Sequence, residues 1–128
     1  MKSKPLHMKL DQKLENLKTL MGMQDDVVFK EVFIPSYECS GLFVFVNGTM
    51  DYPSFNEIVR DLSAAQVVSN HPISIEQSVM SKICSVRERN VSTYEKAKEF
   101  IFDGKTLLFI EGIEEGYVLN LEKEKMRT

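Results

Sequence analysis

Two short runs in this chain have no polar face. Leu42-Phe43-Val44-Phe45-Val46 and Leu107-Leu108-Phe109-Ile110 are apolar at every position. A strand points successive side chains to opposite faces, so each run needs cover on both sides. In a chain of 128 residues this leaves few arrangements. Both runs belong in the middle of one sheet, with helices packed above and below. Val44, Phe45, Leu108 and Phe109 are expected to be nearly fully buried, on neighbouring strands.

The rest of the chain supplies the cover. Leu10, Leu14, Leu17 and Met21 fall on one stripe of an amphipathic helix, and Gly22 stands where a left-handed residue would end it. "VVFKEVFI" (27–34) changes to a period of two. Val28, Lys30, Val32 and Ile34 share one face, and Val27, Phe29, Glu31 and Phe33 the other. A charge on each face marks a strand near an edge. "PSYECSG" (35–41) is turn chemistry, and Asn47-Gly48 closes the strand after it. Ser54-x-x-Glu57, Ser74-x-x-Gln77 and Ser92-x-x-Glu95 read as capping boxes opening three helices. Their inward stripes are Phe55, Ile58, Val59, Leu62 and Gln66; then Ile75, Val79 and Ile83; then Tyr94, Ala97 and Ile101. "SVRERNV" (85–91) fits either a loop or a short edge strand.

The order of elements is therefore α-β-β-α-α-α-β-β in a single α/β domain, residues 1–128. Two hairpins joined by a helical crossover predict a mixed sheet of about four strands with packed helices. The two apolar runs are expected to be its central, parallel pair.

Chemistry is sparse. Among the residues are two histidines, His7 and His71, and two cysteines, Cys39 and Cys84, none at metal-ligand spacing. No metal and no cofactor is expected. Gly104-Lys105-Thr106 imitates the end of a phosphate-binding loop, but it lacks the upstream glycine and enters a strand. Asp25-Asp26 reads as a solvated turn. Asn47-Gly48-Thr49 and Asn90-Val91-Ser92 fit the glycosylation sequon, which carries weight only in a secreted chain. The N-terminal residues have no uninterrupted apolar segment of the signal-peptide kind, and the thiols read as free. No run approaches the length of a membrane span. A formal net charge of −3 argues against nucleic acid as a partner. No catalytic group stands out, and the expectation is a protein that is not an enzyme.

Several strings, in order, resemble a known family. "LKTLMGMQDDVVFKEVFI" is similar to its opening helix, short link and strand. "LFVFVNGTMD" looks like its buried strand followed by a polar residue, Gly and a later Asp, here Asn47, Gly48 and Asp51. "FNEIVRDL" is similar to the next helix, and "YEKAKEFIFDGKTLLFIEG" to the helix and strand that follow. The family is that of the spore germinant receptor A subunits, the GerA-type proteins of endospore-forming bacteria. In that family the final hairpin leads into an Arg-, Glu-Pro- and Gly-Pro-containing segment, a second soluble part and membrane spans, which this sequence does not contain.

The resemblance implies the first subdomain of a larger N-terminal soluble region, at the cytoplasmic face of the inner spore membrane. It implies a non-enzymatic role in receptor assembly and germination signalling. The partners would be the remainder of the A subunit and other receptor subunits, with a homo-oligomer as a further arrangement and the membrane reached only through the rest of the protein. It transfers no catalytic or ligand residue. From the strand reading, the candidate interaction or ligand edge is Asn47, Gly48, Thr49, Glu111 and Gly112, where the two central strands end. Those residues also read as ordinary strand terminators. Two alternatives stand beside the receptor role. One is a lobe binding an amino acid or nucleoside at the same edge. The other is a free-standing regulator of the anti-sigma-antagonist type, with Ser54, Ser74 or Ser92 accepting phosphate at a helix start. A severed subdomain would also leave Leu6, Met8, Ile113, Tyr117 and Leu119 on an exposed apolar surface.

Overall fold

The structure, a computed structural model, describes residues 10–22, 26–63 and 75–121. The elements are α1 (Leu10–Met21), β1 (Val27–Ile34), a 3-10 turn (Pro35–Tyr37), β2 (Cys39–Val46), α2 (Tyr52–Ser63), α3 (Ile75–Ile83), β3 (Arg87–Val91), α4 (Tyr94–Phe102), β4 (Thr106–Ile110) and β5 (Gly116–Leu119). The strands form one sheet in the order β1-β2-β4-β5-β3. Helices α2 and α3 cover one face, and α1 and α4 the other.

The two apolar runs lie side by side at the centre, as their composition demands. Leu42 and Val44 join Leu107 and Phe109 under α1 and α4, while Phe43 and Phe45 join Leu108 and Ile110 under α2 and α3. Val44, Leu108 and Phe109 are 0% exposed and Phe45 is 3% exposed. The Phe55 ring of α2 meets Phe43 edge-on at 4.9 Å and Phe45 at 5.2 Å.

Their relative direction is the first correction. Gly41 pairs with Ile110 and Val44 with Leu107 in an antiparallel ladder, and every adjacent pair in the sheet is antiparallel. The sheet is not mixed, and it has a fifth strand. The reason lies in "RERNV". These residues form β3, with an irregularity between Arg87 and Arg89, at the sheet's outer edge. The helical crossover into β4 starts from β3 and not from β2. β3 and β4 run in the same direction with β5 paired antiparallel between them, a split β-α-β unit. Treating 85–91 as a connection reversed the inferred direction of β4.

Two of the capping boxes are also shifted. Asp51 caps α2: its carboxylate accepts from the Ser54 amide at 3.2 Å and from the Ser54 hydroxyl, and its carbonyl accepts from Phe55. Ser54 is a first-turn residue. Thr93 and not Ser92 caps α4, accepting from the Lys96 amide at 3.3 Å. Ser74, Gln66 and His71 lie outside the described residues, as do Asp25, Leu6, Met8 and His7. Gly22 does end α1, with φ +71° and its amide on the Lys18 carbonyl. The turn after β1 is shorter than its composition indicated, because β2 resumes at Cys39. The side chains of Ile113, Tyr117 and Leu119 are in the chain's own core, at 7%, 3% and 0% exposed, so the final hairpin presents no apolar surface.

Candidate functional site

The antiparallel relation of β2 and β4 separates the residues read as one edge. Asn47, Gly48 and Thr49 follow β2 at the end of the sheet where Val27, Thr106 and Leu119 lie. Glu111 and Gly112 follow β4 at the opposite end, beside Ser40 and Gly116. The five therefore form two groups, called here the Asn47 end and the Glu111 end.

At the Asn47 end each residue has an internal task. The Asn47 amide donates to Asp26 at 2.7 Å, and its side-chain oxygen accepts from the Tyr52 hydroxyl at 2.6 Å. Gly48 takes φ +93°, which makes the turn, and the Thr49 hydroxyl donates to the Val46 carbonyl at 2.8 Å. The Asp51 amide donates to the Leu121 carbonyl at 2.7 Å, tying this turn to the chain beyond β5. Tyr52 remains 36% exposed.

At the Glu111 end the Glu111 backbone donates to Ser40 at 2.9 Å, and its carboxylate accepts from the Ser40 amide at 3.1 Å. These bonds extend the β2–β4 ladder past its last strand residue. The same carboxylate adds to the effect of burial in raising the pKa of the half-buried Cys39 thiol. Gly112, with φ +87°, begins the β4–β5 turn. That turn forms part of a cavity of about 290 Å³, whose other walls come from the start of α3, from β3 and from Tyr117 of β5.

A second hollow lies between α1 and α4, lined by Leu20, Phe102, Glu95, Glu99 and Asp103, with Lys98 beside them. It is open to solvent, and Phe102 on its wall is 48% exposed.

The sequence pattern gave no attention to Lys13. It is 0% exposed, and its ammonium group donates to the Ile113 carbonyl at 2.6 Å while lying 5.5 Å from the centre of the Phe109 ring. Burial lowers its pKa to about 8, against the opposing attraction of Glu114. The signal was present: Lys13 stands three residues after Leu10 and four before Leu17, inside the apolar stripe. Tyr117 was read only as an apolar hairpin residue. Its hydroxyl is made less acidic by burial first, then by the Glu76 carboxylate and by Glu115, with Arg87 opposing.

Among the described residues no group of three His, Cys, Asp or Glu side chains is placed to hold a metal ion. No helix among them is long and apolar enough to cross a membrane.

The comparisons with known proteins are consistent with one another. The fold matches the crystal structure of the N-terminal domain of the A subunit of the Bacillus megaterium spore germinant receptor GerK3, with a TM-score of 0.80 at 16% identity. The match covers 98% of this chain and 51% of that one, so this chain spans about half the length of its structural neighbour. No curated protein matches. The family described as Bacillus/Clostridium GerA spore germination protein matches residues 15–128, nearly the whole chain. On that extent of agreement, this chain belongs to the GerA spore germination family.

Proposed function

We propose that this chain is part of the N-terminal region of a spore germinant receptor A subunit, acting without catalysis in receptor assembly and germination signalling. The observation that carries the reading is the family match over residues 15–128, joined to a fold shared with the N-terminal domain of such a subunit. The domain is one folded unit of a larger N-terminal region. It works at the cytoplasmic face of the inner spore membrane, with the membrane reached through other parts of the receptor. Its partners are the remainder of the A subunit and other receptor subunits, and a homo-oligomer is a further arrangement.

Two contact patches replace the single edge. The first is the Asn47-Gly48-Thr49 turn with the adjoining Tyr52 ring, and the second is the Glu111-Gly112 turn. Both are exposed connections on a rigid sheet, the usual place for recognition. The test is deletion of residues 10–121 from the full-length A subunit in spores. The expected result is loss of the partner subunits from the spore membrane fraction and loss of receptor-dependent germination. Unchanged subunit levels and unchanged germination would remove the assembly and signalling roles together. Charge-introducing substitutions at Thr49 and Gly112 then separate the two patches, since each should weaken co-purification more than a neutral substitution at the same position (Thr49→Asn, Gly112→Asn) that disturbs the turn equally.

A further inference from the structure

The Tyr117 ring is packed in the core under α2 and α3 and is 3% exposed, and its hydroxyl makes no hydrogen bond to a described residue. Tyr117 is part of the wall of the cavity at the Glu111 end. The other side chains that matter there are Glu76 from the first turn of α3, Asn90 from β3, and Glu114 and Glu115 from the β4–β5 turn. All four are exposed, so the carboxylates form the rim and the phenol the floor. The Glu76 and Glu115 carboxylates, which line the same cavity, both make the Tyr117 hydroxyl less acidic.

We propose that this cavity binds an organic monocation, an ammonium or guanidinium group, with Glu76, Glu114 and Glu115 facing its charge and the Tyr117 hydroxyl accepting one of its N–H groups. Three features favour this class of ligand. The carboxylates are spread around the opening and do not converge as a metal site requires, which suits a larger and softer cation. The volume of about 290 Å³ is at the lower end for ligand cavities and admits a head group, not an extended molecule. The rim is also held in place. Arg87 donates to the Asn90 side-chain oxygen at 3.0 Å, and Asn90 donates to Glu115 at 3.0 Å. Two protein cations lie nearby, Lys13 and Arg87, but neither lines the cavity: Lys13 donates to the Ile113 carbonyl, and Arg87 donates through one terminal nitrogen to Asn90 while its buried Nε has no partner among the described residues. The same chemistry could come from a free small amine or from a lysine side chain on a partner protein. The inference does not depend on the receptor reading.

The test is an amide NMR titration of the chain with n-propylammonium chloride, with Nα-acetyl-lysine N-methylamide, and with tetramethylammonium chloride, which has no N–H to donate. The two amines should produce saturable shifts at Asn90 and at 112–117 at millimolar concentrations. Tyr117→Phe and Glu115→Gln should each weaken them about fivefold, the size expected for one hydrogen bond or charge contact. Tyr117→Phe removes a hydroxyl with no hydrogen-bond partner among the described residues, so the variant should melt with the parent chain. Tighter binding of the lysine derivative assigns the site to a partner's side chain, and tighter binding of propylammonium to a free amine; both uphold the proposal. No saturable shift with either amine, equal shifts with sodium chloride or tetramethylammonium, or undiminished binding by both variants would overturn it.

Discussion

The ammonium group of Lys13 is enclosed between α1 and the β4–β5 turn, where one carbonyl and one aromatic face replace its water. Its pKa falls from 10.5 to about 8 because burial penalises the charged form more than Glu114 favours it. Between those two values the unfolded chain holds a proton that the folded chain has released. The contribution of Lys13 to stability is therefore lowest below about pH 8 and rises with pH up to the unfolded value. Lys13→Met removes that dependence. Denaturant midpoints at about pH 7 and pH 10 should show the parent chain gaining on the variant at the higher pH. Phe109 is a second residue-scale case. Its ring is fully buried and lies against the backbone of Gly116, where an added Cβ would come within 2.7 Å of Cδ1. Phe109→Ala should cost about 3–5 kcal/mol through lost burial and the cavity left behind, read as a shift in the chemical unfolding midpoint. The burial of Phe109 was legible in the apolar run. That of Lys13 was not, because a lysine in a stripe ordinarily extends its charge to water, and it takes the Ile113 carbonyl and the Phe109 ring, both distant in sequence, to hold this one inside.

At the scale of elements, periodicity located all four helices and four of the strands, and short-range polar chemistry then misplaced their starts. Ser92 and Thr93 are both competent caps in sequence, and the choice between them depends on which residue the end of β3 leaves extended. Thr93 takes φ −131° and ψ 154° and holds the Lys96 amide. Thr93→Ala should lower stability by about 1 kcal/mol, whereas Ser92→Ala should stay within about 0.5 kcal/mol of the parent in the same urea titration. β3 was hard to read for a different reason. It is an edge strand carrying Arg87, Glu88, Arg89 and Asn90, with Val91 as its buried member. An edge strand pairs through its backbone on one side and needs little apolar material. Charge on such a strand also discourages pairing with other chains. The candidate edge was lost with β3, since a single reversed strand sends Glu111 and Gly112 to the far end of the sheet.

At the scale of the whole molecule, two apolar layers of comparable size enclose one sheet, and β5 lies in both. Tyr117 and Leu119 belong to the layer under α2 and α3, and Val118 to the layer under α1 and α4. The position of β5 between β4 and β3 makes it the link between the two halves of the sheet. Removal of residues 116–128 should therefore abolish cooperative unfolding altogether and leave a chain without a thermal transition in far-ultraviolet circular dichroism. A truncated chain that still melts sharply would show that β1, β2 and β4 fold alone. Because β5 is the last of the described strands in chain order, a growing chain cannot close this sheet until that strand has emerged from the ribosome. Until residues 116–119 have cleared the exit tunnel, β3 has no neighbour and the central strands expose an unpaired flank. The domain then completes itself late and in one step, and that interval is when a chaperone, or the following segment of a longer polypeptide, would have most to do.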